Sequence, residues 1–486
     1  MIGMNARSVK RLIEICGREN VFDSTESRIA YSYDGTAMPS CLPDAVVRPP
    51  SVSSLSAILR LASEERFGVI PRGSGTSLSG GAIPVPNSIV LLTNHWNRIL
   101  EIDEQNLTAT VEPGVITAQL HQAADRCGLM YPPDPGSSSI STIGGNVAEN
   151  AGGLRGLKYG VTRNYVLGLE AVLPDGDVLT TGGKSVKDVA GFDLKSVLTG
   201  SEGTLAVLTR AVLRLIPKPQ SFKTLLASFA SMDDAANTVS AVIAARITPA
   251  MIEFLDQTTI RCVEAYARLG LPVDAEALLL IEVDGHAAVV DEDVASIRRI
   301  CERHRATSIA LGRNEEESAR LKAGRRAAFA SLARICPTTI MEDVAVPRAE
   351  LARLVGKIET IGKKYSVRIG NFGHAGDGNL HPNYLTDDRN PEEFARAVRC
   401  VEEVELAAID CGGTITGEHG VGLYKREMLK KMVTPPSIRL MQQLKQLVDP
   451  ENILNPGKVI ETTPRCEGKL PRTREQIGKY EDVAWH

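Results

Sequence analysis

The sequence predicts a protein of mixed helix and strand, α/β or α+β, with two successive units and a shorter C-terminal helical segment. Runs with the 3.6-residue apolar spacing of helices alternate with short apolar runs typical of strands over most of the chain. The segment PKPQ interrupts this alternation near residue 219 and marks the end of the first unit. The length of 486 residues fits two to four domains, at about 100–200 residues each.

The first unit follows a polar helix and a turn-rich connection, which together take up residues 1 to about 38. Residues 51–67 predict a helix, because apolar residues recur at helical spacing and Ser51 can cap its N-terminus. Residues 205–216 fit a strand or a helix by pattern alone. The other predictions are a helix at 116–127 and strands from 45 to the following prolines and at 69–70, 88–92, 109–112, 166–173 and 178–180.

The second unit combines longer helical segments with fewer strands. Helices are predicted near 232–246, 257–268, 290–304, 315–335, 347–364 and 391–410, and strands near 224–229, 277–283 and 367–372. Two further helices, near 422–432 and 436–448, precede an irregular charged tail after residue 461.

Composition excludes several classes of protein. The net charge of −4 offers no basic excess for nucleic acid or an anionic membrane. No apolar run approaches the roughly 18 residues of a membrane span, and the N-terminus lacks an apolar signal core. The nine cysteines are scattered and never spaced C-x-x-C, which argues against disulfides, an iron–sulfur cluster or a four-thiolate zinc site in this chain. We therefore expect a cytoplasmic protein.

Three glycine-rich segments lie in the first unit: PRGSGTSLSGG (71–81), PPDPGSSSISTIGGNVAENAGG (132–153) and TGSEGTLAVLT (199–209). The first is not a Rossmann fingerprint, because the third glycine position is Leu78. GGKS at 182–185 is not a P-loop, because Val178 replaces the required glycine. The first segment alone fits either a surface loop or a nest of backbone N–H groups. Three such segments together favour an extended, phosphate-bearing cofactor.

Histidines cluster in GNFGHAGDGNLHPNYL (370–385). The glycines disfavour a helix and predict two strands joined by AGDGN, with His374 facing His381 and with Asn383 on the same side as His381. Two imidazoles held in this way suit Zn, Mn or Fe, and a purely structural hairpin is the alternative. GGTITGEHGVGLYK (412–425) offers a carboxylate at Glu418 beside His419, or else an exposed Glu-His pair.

Four of these motifs, read in order, resemble a known family. PRGSGTSLSGG, PPDPGSSSISTIGGNVAENAGG, KYGVTRNYVLGLEAVLPDGDVL and TGSEGTLAVLTRAVLRLIPKP look like the FAD-binding domain of vanillyl-alcohol-oxidase-type flavoproteins. The nearest likeness is to the glycolate oxidase flavin subunit and D-lactate dehydrogenase family, over about residues 20–462. The resemblance implies a two-subdomain FAD-binding domain at 39–219 and an α+β substrate cap domain at 220–420. An N-terminal helical segment (1–38), a C-terminal helical segment returning to the FAD domain (421–462) and a tail (463–486) complete the organisation.

The resemblance also implies a set of FAD-binding residues. The first loop would follow the pyrophosphate, and the other loops would surround the flavin and its ribityl chain. No histidine lies in the first loop, so we expect non-covalent FAD. The implied residues are Pro71, Arg72, Gly73, Ser74, Gly75, Thr76, Ser77, Asp134, Thr142, Gly144, Gly145, Asn146, Ala148, Gly153, Glu202, Gly203 and Val207.

The motifs H-x-G-D-G-N-x-H and G-E-H-G match the same family. The resemblance makes His374, His381 and Glu418 the ligands of a divalent metal and His419 the general base. Asn383 is expected to join the catalytic set. Arg325 would clamp the substrate carboxylate. Its neighbour Arg326 can be confused with it, and both also fit ordinary solvated arginines of a helix. In related 2-hydroxyglutarate dehydrogenases a lysine occupies the position of Met341, so a small monocarboxylate is expected here.

The implied reaction is the FAD-dependent, metal-assisted oxidation of a small 2-hydroxy acid, glycolate or D-lactate, to the 2-oxo acid. A quinone, a cytochrome or an iron–sulfur partner subunit would receive the electrons. Nucleic acid is not expected as a partner. A homodimer and a complex bound peripherally at the inner membrane are both compatible with the sequence. The alternatives are a 2-hydroxyglutarate-like dicarboxylate dehydrogenase, a metal-dependent hydrolase and a non-catalytic flavin subunit.

Overall fold

The structure is a computed structural model that describes residues 4, 6–37, 40–312 and 314–461. The tail predicted at 463–486 lies outside these residues. A first domain with three sheets precedes a second domain built on one large sheet, and two helices follow.

The first domain contains eleven strands and seven helices among the described residues. The strands are β1 Val21–Phe22, β2 Ala45–Val47, β3 Gly68–Arg72, β4 Ser88–Leu92, β5 Ile99–Asp103, β6 Thr108–Val111, β7 Leu129–Met130, β8 Val166–Val172, β9 Val178–Gly182, β10 Val207–Arg214 and β11 Ile216–Pro217. The helices are α1 Ala6–Cys16, α2 Thr25–Ala30, α3 Val52–Glu65, α4 Thr117–Arg126, α5 Ile143–Glu149, α6 Gly156–Tyr159 and α7 Leu194–Leu198.

These strands form two principal sheets. One has the order β1-β2-β4-β3, in which β2, β4 and β3 run parallel and β1 is antiparallel to β2. The other has the order β5-β6-β10-β8-β9 and is antiparallel throughout. Strands β11 and β7 form a separate pair. Because β3 ends at Arg72, the first glycine-rich loop leaves directly from the edge of the first sheet.

The second domain is organised around an eight-stranded antiparallel sheet. Its strands are β12 Ser221–Phe229, β13 Met251–Asp256, β14 Ala277–Gly285, β15 Ala306–Gly312, β16 Thr338–Met341, β17 Val344–Ala345, β18 Arg368–His374 and β19 Asn379–Thr386. The order is β15-β12-β14-β13-β18-β19-β16, and β17 also pairs with β19. The helices are α8 Met232–Ala244, α9 Gln257–Ala267, α10 Ala287–Arg303, α11 Glu315–Leu332, α12 Leu351–Tyr365 and α13 Pro391–Asp410, followed by α14 Arg426–Met432 and α15 Pro435–Val448.

Helices cover both faces of the large sheet. The main core packs apolar side chains of α8, α10, α12 and α13 against one face. A smaller core packs α9 and α11 against the other face, through residues such as Val263, Leu332 and Phe372. Helix α11 also contributes Lys322, Arg325 and Phe329 to a cavity that residues of the first domain line as well.

The structure confirms the predicted helices of the second domain to within a few residues and shows strands that the sequence pattern does not reveal. The ambiguous segment 205–216 is the strand β10, whose side chains alternate between buried and more exposed. Strand β13 was not predicted, because Glu253 interrupts its apolar run. Edge strand β15 is mostly exposed and lacks an apolar pattern.

The glycine-rich segment 132–153 contains a helix that its composition does not predict. Helix α5 lies inside it, capped by Thr142, whose Oγ1 accepts a hydrogen bond from the Gly145 N–H at 3.2 Å. The cap compensates for the weak helix propensity of the adjacent glycines.

None of the helices in the described ranges is both long enough and apolar enough to cross a membrane. Every cysteine of those ranges is a free thiol.

Candidate active site

A cavity of about 880 Å³ lies between the two domains. The glycine-rich loops of the first domain line one side, and residues of α11, β18, β19 and the loop after α13 line the other. The residues expected to bind FAD that line the cavity are Pro71, Arg72, Gly73, Ser74, Gly75, Thr76, Ser77, Asp134, Thr142, Gly144, Gly145, Asn146, Ala148, Glu202, Gly203 and Val207. The remaining one, Gly153, is not among the lining residues. It adopts φ +130°, and a Cβ there would lie 2.1 Å from the backbone oxygen of Asp134.

The backbone of the glycine-rich loops packs directly against neighbouring loops. A Cβ on Gly73 would lie 2.3 Å from Oγ1 of Thr142. The side chain of Arg72 fills the space beside Gly75, and its Nη1 donates a hydrogen bond to the Tyr33 carbonyl at 2.5 Å. Small residues therefore let three loops converge, with exposed backbone N–H groups and hydroxyls that suit a diphosphate. The donor set of this cavity fits FAD.

The predicted histidine hairpin is confirmed. Strands β18 and β19 pair with His374 opposite Asn379, so that His381 is the diagonal neighbour of His374 on the same face. The two imidazole rings lie 5.1 Å apart between centroids. Their Nε2 atoms lie 3.3 Å and 3.4 Å from the same oxygen, Oε1 of Glu418. The sequence thus brings two imidazoles and one carboxylate to a common point.

A fully buried carboxylate, Glu253, joins the histidines to the predicted substrate clamp. The sheet register pairs Glu253 directly with His374, and Oε1 of Glu253 accepts a hydrogen bond from His374 Nδ1 at 2.7 Å. Oε2 accepts a hydrogen bond from Arg325 Nε at 2.6 Å. Burial opposes ionisation of Glu253, but the charges of His374 and Arg325 hold the pKa of that carboxyl below its usual value. Glu253 is therefore an anion shared between two functional side chains.

The carboxylates around His374 favour a positive charge on its ring. Burial by itself would lower the pKa of His374, but the carboxylates of Glu253 and Glu418 outweigh it and raise that pKa well above the usual value. The Glu253 hydrogen bond leaves Nε2 of His374 directed toward Glu418. An imidazole oriented by a carboxylate through its other nitrogen is the usual arrangement of a metal-bound histidine.

His381 lies deeper and is stacked on His419. The ring centroids of these two residues are 5.0 Å apart, with an interplanar angle of 13°. Nδ1 of His381 is 3.6 Å from Oδ1 of Asp343 and has no hydrogen-bond partner among the described residues. Burial lowers the pKa of His381, which keeps its ring neutral and able to act as a ligand.

The loop that carries Glu418 and His419 is organised by Asp343, which is fully buried. Oδ2 of Asp343 accepts hydrogen bonds from the backbone N–H groups of Gly417, Glu418 and His419 at 2.7, 2.8 and 2.9 Å, and from the Thr416 hydroxyl at 2.7 Å. Burial opposes ionisation here, but the nearby side chains of His419, His381 and Lys425 hold the pKa of Asp343 well below its usual value. The three successive amides fix the positions of both functional side chains.

The structure distinguishes the two arginines of α11. Arg325 is half-buried and lies over the Phe372 ring, 4.5 Å from its centroid, whereas Arg326 is exposed. Both line the cavity, as does Met341. Because Nε of Arg325 is occupied by Glu253, the terminal nitrogens remain for a ligand carboxylate.

Asn383 occupies a different position from the other predicted site residues. It is fully buried, is not among the cavity-lining residues, and donates its Nδ2 hydrogen bond to the His381 carbonyl at 2.7 Å. Its Oδ1 has no hydrogen-bond partner among the described residues. Asn383 therefore contacts the backbone of His381, which is a predicted metal-ligating residue.

Sequence reasoning missed Glu253 and Asp343. Glu253 is the one acid within the apolar run MIEFL, and Asp343 stands between Glu342 and the apolar run VAV. A buried acid next to apolar residues needs partners, and this was the available signal. The identity of those partners depends on tertiary contacts.

The donor set fits a divalent cation. Ligand atoms of His374, His381 and Glu418 all lie within 4.8 Å of one another, and so do those of Asp343, His381 and His419. Two imidazoles and one carboxylate match three-ligand sites that retain an open position.

Comparison with known proteins identifies the family. The model for the FAD binding domain matches residues 43–182, and the model for the FAD linked oxidases, C-terminal domain, matches residues 218–459. A glycolate oxidase subunit GlcD from Bacillus subtilis (strain 168) is 52% identical over 457 residues, which cover 94% of this chain and 97% of that protein. A D-lactate dehydrogenase from Archaeoglobus fulgidus is 38% identical over 442 residues, which cover 89% of this chain and 95% of that protein.

Solved structures confirm the predicted fold class. p-Cresol methylhydroxylase has a TM-score of 0.79 at 19% identity, covering 94% of this chain and 96% of that one. 4-Ethylphenol oxidase from Gulosibacter chungangensis has a TM-score of 0.78 at 20% identity, covering 95% and 97%. At these identities the likeness concerns the fold alone. With the family matches, it confirms the resemblance stated from the sequence motifs: the chain belongs to the FAD-linked oxidases, in the family of the glycolate oxidase flavin subunit and the D-lactate dehydrogenases.

Proposed function

We propose that this protein oxidises a small 2-hydroxy monocarboxylic acid to the 2-oxo acid, with FAD as the hydride acceptor and a divalent cation at His374, His381 and Glu418. The observation that carries this proposal is the single cavity lined by both the glycine loops and the His–Glu–Arg cluster. When bound, FAD supplies a hydride acceptor and the cation supplies the Lewis acidity that lowers the pKa of a hydroxyl group. The relatives named glycolate oxidase subunit and D-lactate dehydrogenase support this substrate class.

Arg325 binds the substrate carboxylate. Its guanidinium is held between Glu253, at 2.6 Å from Nε, and the ring of Phe372. This leaves the planar terminal nitrogens in one orientation, and such pre-organisation reduces the entropy lost on binding.

His419 takes the hydroxyl proton at a ring nitrogen. Its backbone is fixed by Asp343, and its ring is stacked against His381, so the ring has little freedom to turn away. His419 lines the cavity, and its Nε2 lies 3.8 Å from Oε1 of Glu418. A base next to the ligand set is in reach of a hydroxyl held there. Asn383 supports this arrangement indirectly, by holding the backbone of His381.

His374, His381 and Glu418 hold the cation, which we expect to be Zn, Mn or Fe. Glu253 orients the first imidazole through Nδ1. A chelator should therefore abolish substrate-dependent reduction of the flavin, and one of these three ions should restore it.

The FAD is held without a covalent bond. Its covalent attachment in flavoproteins requires a nucleophilic side chain, and the described residues that line the cavity include no cysteine or tyrosine. Their histidines are His374, His381 and His419, which the proposed chemistry already uses. Acid precipitation should release all of the flavin into the supernatant.

The part of the cavity that the second domain lines favours a monocarboxylate over a dicarboxylate. Met341 lines the cavity and offers no charge to a second carboxylate. Lys322, which also lines it, is paired with Glu282 at 2.6 Å between Nζ and Oε2, so its charge is already compensated. Both glycolate and D-lactate remain within this class.

The electrons pass to an acceptor other than oxygen, such as a quinone, a cytochrome or an iron–sulfur partner subunit. The name "subunit" of the GlcD relatives supports a partner protein. A cytoplasmic location, peripheral association with the inner membrane and a homodimer stay predictions from the sequence.

The test is anaerobic reduction of the bound flavin. Purified protein should be yellow, and absorption near ~450 nm should bleach when D-lactate or glycolate is added, since cofactor chemistry dictates this band. Bleaching by 2-hydroxyglutarate alone would favour the dicarboxylate dehydrogenase. A yellow protein that no 2-hydroxy acid bleaches would refute the proposal and leave the non-catalytic flavin subunit.

A further inference from the structure

We propose that Glu202 is a positioning residue that fixes the Glu418–His419 loop to the FAD-binding domain. The inference rests on the proposed function, in which His419 is the base. Glu202 was expected, from the family resemblance, to contact the cofactor. The geometry points to a contact between the two domains, in which the Glu202 carboxylate binds the backbone of Val421 and Gly422; we call this contact the clasp.

The loop is held from the second domain by Asp343. As described above, one oxygen of this buried carboxylate receives the N–H groups of Gly417, Glu418 and His419. This interaction sets the shape of the loop relative to the large sheet, but it does not relate the loop to the flavin side of the cavity.

The first domain holds the next part of the same loop through Glu202. Its Oε1 accepts the Val421 N–H at 2.7 Å, and its Oε2 accepts the Gly422 N–H at 2.7 Å. The residues are 219 and 220 positions apart in the chain, and Glu202 is 6% exposed. Both carboxylate oxygens are thus engaged by one short stretch of backbone, which is a geometry that fixes the position of that stretch.

Glu202 is itself held firmly. Its backbone lies at φ +51°, its N–H donates to the Ala148 carbonyl at 2.8 Å, and its carbonyl accepts from Asn455 Nδ2 at 2.6 Å. A non-glycine residue in this left-handed region costs about 1–3 kcal/mol and persists only where its surroundings enforce it. The clasp is therefore rigid on the first-domain side.

Gly420 lies between the amides bound by Asp343 and those bound by Glu202. It packs against the carboxyl groups of Glu149 and Glu202. A Cβ on Gly420 would be 2.4 Å from Oε2 of Glu149 and 2.8 Å from Oε1 of Glu202, and its φ is +83°. Burial raises the pKa of both carboxyls, more strongly that of Glu149, where the Glu202 charge adds to burial. Two backbone N–H donors favour the ionised form of Glu202.

The consequence concerns the distance from His419 to the reacting atoms. Two buried carboxyl groups, Asp343 from the second domain and Glu202 from the first, accept hydrogen bonds from the amides on either side of Gly420, so the position of His419 is fixed relative to both sides of the cavity. Loss of the Glu202 contact should let the loop shift relative to the flavin without emptying the cofactor site. A misplacement of about 1 Å costs on the order of 100-fold in rate.

The test is Glu202→Gln, compared with Asp284→Asn as a matched control. Glutamine presents one acceptor and one NH2, so one of the two backbone donors meets another donor. Asp284 also joins the two domains, through the Tyr159 hydroxyl at 2.7 Å and Lys158, but it does not contact the catalytic loop. We expect E202Q to keep FAD affinity and KM while kcat falls about 100-fold. D284N should keep kcat.

Three outcomes would overturn the proposal: weaker FAD binding with normal kcat in the FAD-saturated variant, an unchanged kcat, or an equal loss of kcat in D284N. A measurement on the wild-type protein covers the case in which E202Q does not fold. The amides of Val421 and Gly422 lie outside helices and strands, yet the clasp should make them exchange slowly with deuterium, and fast exchange would refute it. If no 2-hydroxy acid reduces the wild-type flavin but these amides exchange slowly, the proposed function fails and the clasp stands.

Discussion

Replacing Glu253 by glutamine should weaken substrate and metal binding together, because this one carboxylate serves both Arg325 and His374. Its two oxygens accept hydrogen bonds at 2.6 Å and 2.7 Å, and the residue is fully buried. Glutamine is nearly isosteric but offers a single acceptor, so its NH2 group must face either Nε of Arg325 or Nδ1 of His374.

The size of the effect follows from the lost interaction. A hydrogen bond between charged groups contributes about 1.5–3 kcal/mol, and each 1.4 kcal/mol corresponds to tenfold, so kcat/KM for a 2-hydroxy acid should fall about 10- to 100-fold. Loss of an outer partner of a metal-bound histidine lowers metal affinity by a similar factor, about 10- to 100-fold. Glutamine also removes the negative charge that Glu253 presents to both Arg325 and His374, so both losses should appear in one variant.

The assay combines steady-state kinetics with an artificial electron acceptor and metal titration of the chelator-treated protein. Asp256→Asn is the matched control, because Asp256 is a half-buried acid on the same strand. Its oxygens accept hydrogen bonds from the backbone N–H groups of Thr259 and Asn371, both at 2.8 Å. D256N should change stability and leave kcat/KM unchanged. Wild-type kcat/KM and metal affinity in E253Q would refute the shared-carboxylate reasoning.

Four other variants probe further parts of the structure. His419→Ala should retain FAD and metal but lose most turnover, whereas Glu418→Ala should lose metal first, as metal analysis and steady-state rates would show; normal turnover in H419A would refute the base. Burial lowers the pKa of Lys458 to about 7, so the unfolded chain binds more protons above that pH. The free energy of unfolding should then rise between about pH 7 and pH 10, and this rise, measured by denaturant titration, should disappear in Lys458→Met. Gly420→Ala should cost about 1–3 kcal/mol of stability and reduce kcat, because the added methyl group meets the Glu149 carboxyl; a stable, fully active G420A would contradict the close packing there.

The histidine hairpin shows what could be predicted locally. Its turn depends on AGDGN, where Gly378 adopts φ +83°, and on the apolar residues on either side. These features act between near neighbours in the chain, so spacing alone placed His374 and His381 on one face. The helices of the second domain were predicted for the same reason, since their apolar periodicity is a local property.

The strands missed in the second domain had a different cause. Strand β13 carries Glu253 in an apolar run, and the charge is tolerated only because Arg325 and His374 meet it from other elements. No pattern within MIEFLD predicts those partners. Because the interactions that stabilise the charge are tertiary, the strand could be identified only from the structure.

The amino-acid sequence by itself determined the family, the three small-residue loops, the histidine hairpin and the glycine-flanked Glu418–His419 pair. Each of these features depends on a short continuous segment of the chain. Only the tertiary structure decided which buried anions hold these groups in place. Sheet pairing brings Glu253 to His374 across 121 positions, and the contact between domains brings Glu202 to Val421 across 219. Such pairings depend on strand register and domain packing, which the energy of the whole fold selects and no short segment encodes.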